Sequence, residues 1–275
     1  VHSEYVENLY VGRVNVPNQS SLSQLQGVRD ASNQVLIKLT GDSEVIHVPV
    51  VNEVLLRPDD YVGTVGYRAV EESNGAKTVP SVGLEVNFSK VALDEFIRTN
   101  KLPILPANRP LLLLWIIRDN RATGREFVSE HTAPSIVQLV ADKLEDRGIP
   151  LVFPIYDLQD RIALSENNAW EFNAKMLFDA SKRYDSDVIV LLRFYETSSG
   201  EVRGSWLYQH AGRRKLGDDR SGSISQFISS SFDQMVDQVA KYYAYIPQNE
   251  NKDLVLEVDG VGTYAGHRLL LQKIQ

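Results

Sequence analysis

The chain has 275 residues, enough for about two domains of ordinary size. Its composition, 43% hydrophobic and 24% charged, is that of a folded globular protein and excludes collagen-like, disordered and disulfide-rich classes. The 29 lysine and arginine residues against 36 aspartate and glutamate residues give a net charge of −7, which argues against nucleic acid or an anionic membrane surface as the main partner. The sequence contains no cysteine, which excludes thiol nucleophiles, cysteine-bound metals and disulfides.

Two features of the sequence bear on its compartment. The first residue is Val1 rather than methionine, as expected of an exported chain whose signal peptide has been removed, although omission of preceding residues explains it as well. The longest apolar run, 111–117, is far shorter than the roughly 18 residues that a membrane span needs. These two features and the absence of cysteine lead us to expect a periplasmic protein. Association with the outer membrane is compatible with that location.

Residues 1–102 predict a small α+β domain with the order βαββα. Ser21 and Gln24 form a capping box at the start of a helix, and Gly41 suits the left-handed residue that ends it. Residues 81–89 alternate between apolar and polar side chains, as a half-buried strand does. In chain order we expect a strand at 9–16, the helix from Ser21 to Gly41, strands at 61–68 and 81–89 around a polar loop at 71–77, and a short helix carrying Leu93, Phe96 and Ile97.

Residues 103–110 predict a linker. They contain Pro103, Pro106 and Pro110, so several backbone hydrogen-bond donors are missing and the segment is stiff. This is the best domain boundary in the sequence.

Residues 111–247 predict a three-layer α/β domain on a mainly parallel sheet. The apolar run 111–117 indicates a central strand covered on both faces. Each crossover that follows is long enough for a parallel connection. In chain order we expect strands at 111–117, 151–155 and 188–192, an antiparallel hairpin strand at 202–210, a helix from Pro134 to Gly148, a helical stripe from Trp170 to Tyr184, and a long helix that begins with the capping box of Ser223 and Gln226.

Residues 248–275 predict one strand, at 254–258, and one helix, at 261–274. These two elements cannot bury a core alone, so they either pack on the preceding domain or open a truncated third domain. Gly260 and Gly262 lie between them in a pattern that matches the dinucleotide-binding fingerprint. The fingerprint requires a second strand with an acidic residue about 20 positions later, but only 13 residues follow Gly262. A tight turn is therefore the favoured interpretation.

Three carboxylates are the best candidates for enzymatic chemistry. Asp157 and Asp160 follow the strand at 151–155, and Asp119 follows the strand at 111–117, so all three belong to the carboxyl edge where α/β sheets place ligands. Together they could hold Mg²⁺ or serve as general acid and base. The alternative is that they cap the helices that follow such strands.

Other polar and aromatic groups give weaker signals. The five histidines, His2, His47, His131, His210 and His267, show no metal-ligand spacing. The basic run 213–215 is balanced by Asp218 and Asp219 and predicts a solvated turn. Tyr242, Tyr243 and Tyr245 are a candidate protein-contact surface, and packing of one domain on the next explains them equally.

Much of the sequence resembles a proteobacterial family known as domain of unknown function 2066. The resemblance lies in 9–14 and 21–41, in 110–115, in 147–160 around Arg147-Gly148-Ile149-Pro150 and Asp157-Leu158-Gln159-Asp160, in 183–188, and in 258–271. It implies an exported envelope protein with a cleaved signal and a chain that continues past this tail. The layout of the first unit is also similar to modules of flagellar and secretion assembly factors, at the level of fold alone.

We therefore expect a non-enzymatic periplasmic protein that binds other envelope proteins in a multi-subunit complex, such as the outer-membrane core of a secretion system. No catalytic residue, cofactor or metal is predicted. The alternative is a small-molecule-binding or hydrolytic protein that uses Asp119, Asp157 and Asp160. A nucleic-acid module of the KH type shares the βαββα layout, but the sequence lacks its GXXG clamp and a basic face.

Overall fold

A computed structural model describes residues 3–69 and 81–247. The predicted strand and helix of 248–275, with Gly260 and Gly262, lie outside the described residues, as do the predicted loop at 71–77, His2 and His267. None of the helices in the described part of the chain has the length and apolarity needed to cross a bilayer.

The first unit has the predicted βαββα order, with one additional short strand at its start and additional short helices after its first long helix. Its elements are β1 (Ser3–Tyr5), β2 (Val11–Val16), α1 (Ser21–Thr40), α2 (Asn52–Leu56), β3 (Val62–Arg68), β4 (Val82–Phe88) and α3 (Lys90–Thr99). Single 3-10 turns occupy Ser43–His47, Pro49–Val51 and Pro58–Asp60. Strands β2, β4 and β3 form an antiparallel sheet in that order.

The N-cap of helix α1 lies one residue before the predicted cap. The Oγ of Ser20 accepts the hydrogen bond from the Ser23 backbone N–H at 3.3 Å, so the predicted capping box of Ser21 and Gln24 is wrong by one position. The other end agrees with the sequence, because Gly41 adopts φ 75°, a left-handed conformation that favours glycine.

The proline-containing segment 103–110 packs against the rest of the protein. Its last residues form β5 (Asn108–Pro110), which pairs with β1 in an antiparallel ribbon. The Leu105 backbone N–H donates to the Leu39 carbonyl at 2.8 Å, and Ile104 exchanges backbone hydrogen bonds with Tyr245. The segment therefore contacts both units along its length.

The second unit is a mixed sheet with helices on both faces, which confirms the α/β class. Its elements are β6 (Leu112–Asn120), β7 (Gly124–Phe127), α4 (Pro134–Arg147), β8 (Leu151–Val152), α5 (Leu158–Ala163), α6 (Glu166–Trp170), α7 (Ala174–Ser181), β9 (Val188–Glu196), β10 (Val202–His210), β11 (Arg213–Ser221) and α8 (Ile224–Tyr243). The strand order is β11-β10-β9-β6-β7, and β8 pairs with β6 beside this path. The parallel pairings are those of β6 with β8 and β9, while the outer strands are antiparallel.

Alternate residues of β6 enter two separate cores. Leu112, Leu114 and Ile116 pack in the core that contains residues of α4 and α8. Leu113, Trp115 and Ile117 pack in the core that contains residues of α6 and α7. Because a central strand is apolar on both faces only when both faces are covered, the run 111–117 takes the position that its sequence predicts.

Several elements of the second unit differ from the prediction. The helical stripe from Trp170 to Tyr184 is interrupted where Phe172 has φ 55° and Asn173 caps α7. Strand β7 and helix α5 were not predicted. The basic run 213–215 is not a solvated turn, because it begins β11, whose nine residues all pair with β10.

Two buried arginines join the units. Arg109 of β5 is fully buried and donates to the carbonyl oxygens of Lys38, Arg147 and Gly148 at 2.5, 2.8 and 2.9 Å. These acceptors lie at the C-terminal ends of α1 and α4, where the helix dipoles favour a cation. Arg147 donates to the Gly41 carbonyl at 2.7 Å and pairs with Asp233 and Asp237 of α8.

Candidate functional site

The segment from Ile155 to Ala163 carries two of the three predicted carboxylates. Asp157 is the N-cap of α5, since its Oδ1 accepts the hydrogen bond from the Asp160 backbone N–H at 2.9 Å. Both of its oxygens also accept hydrogen bonds from the Arg183 guanidinium, at 2.8 and 2.9 Å. The capping interpretation of Asp157 is therefore confirmed.

Asp160 lies beneath Asp157 and is almost completely buried. Its Oδ2 accepts from the Tyr156 backbone N–H at 2.8 Å and from the Tyr184 hydroxyl at 2.5 Å. Its Oδ1 accepts from Arg183 at 3.1 Å. One guanidinium thus holds both carboxylates, and each oxygen of Asp160 has a partner inside the protein.

The electrostatics of this network favour a structural role. The hydrogen bond from Arg183 lowers the pKa of the Asp157 carboxyl to about 2, while burial and the hydrogen bond to Asp160 raise the pKa of the Tyr184 phenol to about 12. The two groups are therefore fixed in one protonation state at neutral pH, whereas a general acid or base works best with a pKa near the working pH. Within residues 3–69 and 81–247, no three His, Asp or Glu side chains converge as metal ligands.

Asp119 lies elsewhere. It lies near the end of the long strand β6 and lines a cleft of about 450 Å³ with Arg121, Ser135 and Glu196. Strand β8 ends at Val152 opposite Leu113, six residues before Asp119, and six residues of extended strand span about 20 Å. The structure therefore brings Asp157 and Asp160 together but leaves Asp119 in a different cleft.

The same segment directs aliphatic side chains outward. Ile155, Leu158 and Ile162 are 69%, 74% and 73% exposed. Between them, Tyr156 adopts φ 56°, and its ring stacks on Phe127 with centroids 5.0 Å apart. A bulky residue with positive φ is rare and strained. Here the conformation allows the Tyr156 side chain to be directed into the protein while that of the preceding Ile155 is directed into solvent. We call Ile155, Leu158 and Ile162 the apolar surface.

The three predicted contact tyrosines occupy different environments at the end of α8. The Tyr243 hydroxyl lies 3.1 Å from Nε2 of the buried His210, whose Nδ1 lies 2.8 Å from the Asp187 carbonyl oxygen. A carbonyl only accepts, so Nδ1 carries a proton and donates to it. Tyr242 is half exposed beside Tyr243 and His210. Tyr245 pairs with Ile104 through backbone hydrogen bonds. Tyr245 thus contributes to packing within the chain.

Sequence reasoning missed a cleft of about 630 Å³ on strands β9, β10 and β11. Arg193, Arg203 and Arg220 line it, one from each strand, together with Trp170 and Tyr195. We call this site the arginine cleft. The alternation of Arg203 and Ser205 along residues 202–210 is the only signal for it in the sequence, and Arg220 could not be placed without the unpredicted strand β11.

Comparison with protein families corrects the predicted resemblance. The profile of a domain of unknown function, DUF8605, matches residues 4–106. This is a different family from domain of unknown function 2066, so that resemblance is wrong. Many of the residues that suggested the resemblance are core and capping residues of α1, β6 and α4. Such a pattern occurs in α/β units of many unrelated families. No curated protein matches the chain.

Solved structures show only distant similarity. The C-terminal domain of LpoB from Salmonella enterica is 9% identical, over 41% of this chain and 82% of that one, with a TM-score of 0.28. A protein of the competence-damaged (CinA) superfamily from Escherichia coli is 12% identical, over 55% of this chain and 86% of that one, with a TM-score of 0.29. A protein of that superfamily from Enterobacter cloacae is 10% identical, over 55% and 88%, with a TM-score of 0.29. These values carry no functional argument.

Proposed function

We propose that this protein is a non-enzymatic interaction component of a cell-envelope assembly, resident in the periplasm, where it binds other envelope proteins through the apolar surface. The observation that carries the proposal is the arrangement of the segment 155–163. The carboxylates of Asp157 and Asp160 accept hydrogen bonds from within the protein. The three large aliphatic side chains of the apolar surface are exposed to solvent.

Burial of the apolar surface by a partner protein would favour binding at this position. Transfer of one leucine or isoleucine side chain out of water contributes about 1.5–3 kcal/mol, and three such exposed residues lie within eight positions of the chain. Contiguous exposed apolar patches in folded proteins commonly mark protein–protein contacts. The outer-membrane core of a secretion system is one assembly of the proposed kind.

The compartment is part of the same proposal. With no cysteine among 275 residues, the stability of the fold does not depend on the redox state of its surroundings, which suits an oxidising compartment. Fractionation of cells that produce the protein tests this directly. Recovery in the periplasmic or outer-membrane fraction is expected, and recovery in the cytoplasm would contradict it.

Co-purification from envelopes in mild detergent tests the interaction. We expect the wild type to retain specific partners that the double variant Leu158→Gln/Ile162→Gln loses. The matched control is Leu22→Gln/Val91→Gln, which removes two aliphatic side chains of the first unit that are 77% and 80% exposed. Equal loss of partners in both double variants, or a wild type recovered alone and monomeric, would overturn the proposal.

A further inference from the structure

The arginine cleft places three cations on one face of the sheet. In the strand register, Arg203 of β10 lies directly opposite Arg220 of β11 and opposite Tyr195 of β9. In the next row, Ser205 lies between Arg193 and Asp218. Like charges directly opposite one another on paired strands destabilise a sheet, so Arg203 and Arg220 repel each other and a bound anion would relieve that repulsion.

The carboxylates around the cleft compensate only part of this charge. Arg203 pairs with Glu201 at 2.5 Å, and Asp218 accepts a hydrogen bond from the Ser205 hydroxyl at 2.7 Å. Arg220 is exposed and forms no ion pair within the part of the chain that the structure describes. Asp219 also lines the cleft, and its oxygens accept hydrogen bonds from the Arg220 backbone N–H and the Ser231 hydroxyl. The three lining arginines therefore exceed the two lining carboxylates by one positive charge, although the whole chain carries a net charge of −7.

Aromatic rings hold the deepest of the three arginines in place. The Arg193 guanidinium lies 4.2 Å from the centroid of the Phe172 ring and 5.7 Å from that of Trp170, and it donates to the Trp170 carbonyl. Arg125 lies 5.0 Å from the Trp170 ring. Burial, with the like charge of Arg125 as a further cause, lowers the pKa of Arg193. A guanidinium fixed by rings and partly desolvated is well prepared to bind an anion.

The neighbouring glycine keeps the strands close together below the cleft. A Cβ atom at Gly204 would lie 2.3 Å from the Arg193 carbonyl oxygen and 2.5 Å from the Phe227 ring. Only glycine fits there without displacing the backbone of β9. The spacing of the three arginine-bearing strands is therefore set by close packing.

We propose that the arginine cleft binds a ligand that carries two or more oxyanion groups, either phosphates or carboxylates, with Arg193, Arg203 and Arg220 as the recognising residues. Guanidinium groups match the oxygen geometry of both chemistries by paired hydrogen bonds. The side chains of directly opposed strand residues start about 5 Å apart, so Arg203 and Arg220 suit a ligand whose two anionic groups are adjacent. The volume of about 630 Å³ lies within the range of small-molecule sites.

Isothermal titration with pyrophosphate and, separately, with citrate tests this proposal at constant ionic strength. We expect the wild type to bind one equivalent of at least one of them, and Arg220→Gln to weaken that binding by about tenfold or more, because one charge-assisted interaction is lost. Arg203→Gln should have a similar effect. Preference for pyrophosphate would assign a phosphate ligand, and preference for citrate a carboxylate ligand.

The matched control is Arg214→Gln, which removes the same charge from the same strand. Residues 214 and 220 differ by an even number of positions along β11 and so lie on the same sheet face, but Arg214 pairs with Gln209, outside the cleft. We expect it to change binding by less than about twofold. Equal weakening by Arg214→Gln and Arg220→Gln, or no saturable binding by the wild type, would overturn the proposal. Either result would leave the apolar surface unaffected, because that surface belongs to other elements.

Discussion

Asp157 and Asp160 lie three residues apart at the start of α5, and their surroundings give them different roles. Asp157 is about two-fifths exposed, caps the helix and meets Arg183 at the surface. Asp160 is buried and accepts hydrogen bonds from a backbone N–H, a phenol and the same guanidinium. A buried carboxylate with several charge-assisted hydrogen bonds stabilises a structure only while all of its donors remain satisfied.

Replacement of Asp160 tests that dependence. Asp160→Asn keeps the shape of the side chain but turns one acceptor into a donor, so at least one of the three present donors loses its partner. We expect the free energy of unfolding in urea to fall by about 3 kcal/mol, as for other broken buried ionic networks. Asp157→Asn should have a much smaller effect, because asparagine is also a good N-cap. Equal stability of the Asp160 variant and the wild type would contradict the network.

The charge of Asp157 predicts a dependence of stability on pH. Arg183 lowers the pKa of this carboxyl from 3.8 to about 2 in the folded protein, so between these values the unfolded chain binds more protons. The stabilisation is therefore complete above about pH 4 and is lost as the pH falls toward 2. We expect Asp157→Asn, which keeps the cap, to show a flatter fall of Tm over this interval when thermal unfolding is followed by circular dichroism. Curves for variant and wild type that differ by a constant offset would refute this assignment.

At the scale of elements, local signals located the longer helices and missed the charged strands. Gly148 ends α4 and Ser223 caps α8 as predicted, because each cap is recognised from residues within one turn. Strand β11 has the sequence RRKLGDDRS, which lacks apolar alternation, and its strand conformation depends on pairing with β10. Such pairing joins residues that are distant in sequence, so single-chain patterns do not reveal it.

The sequence grouped three carboxylates at one edge of the sheet, and the structure places only two of them together. The sequence placed Asp157 and Asp160 at the end of one strand, and the structure joins them through Arg183. Asp119 was grouped with them on the assumption that neighbouring strands end level with each other. Because β8 contains only two residues whereas β6 contains nine, their carboxyl ends are staggered. Strand length depends on packing and is the least predictable property of an element.

Close packing of α1 on β2 gives a prediction at this scale. A Cβ atom at Gly12 would lie 2.7 Å from Cβ and 2.9 Å from the carbonyl oxygen of Ala31, so Gly12→Ala must push the helix away from the sheet. We expect a loss of about 1–3 kcal/mol in the free energy of unfolding. Gly66→Ala in β3 is the control, since no atom of residues 3–69 or 81–247 lies within 4 Å of its added Cβ, and it should be neutral or slightly stabilising. Equal losses would show that the contact is not responsible.

At the scale of the whole molecule, the segment 103–110 looks like a linker in sequence but holds the two units together. Arg109 is buried and has no carboxylate partner among the residues that the structure describes, and burial together with the charge of Arg147 lowers its pKa. Its stabilisation comes from carbonyl oxygens at the ends of α1 and α4, one helix from each unit. This role depends on how two helices meet in space, so proline spacing alone could not indicate it. An arginine fork can serve both helices at once.

Coupling of the units through Arg109 predicts a change in unfolding behaviour. Trp115, Trp170 and Trp206 all lie in the second unit, so tryptophan fluorescence follows that unit, while far-ultraviolet circular dichroism follows both. We expect coincident urea transitions for the wild type, as for one cooperative structure. In Arg109→Met the carbonyl oxygens at the helix ends lose their hydrogen-bond donor, which destabilises the fold. Removal of a buried positive charge is stabilising but offsets only part of that loss.

We therefore expect Arg109→Met to lower the free energy of unfolding by about 2 kcal/mol and to separate the two transitions. Arg109→Lys keeps the charge but cannot reach acceptors on both helices, so it should lie between methionine and the wild type. Arg121→Met, at an exposed position of the second unit, should leave the transitions coincident. Coincident and unshifted transitions in Arg109→Met would show that the units are held together by their apolar contacts, with the arginine contributing nothing to their cooperativity.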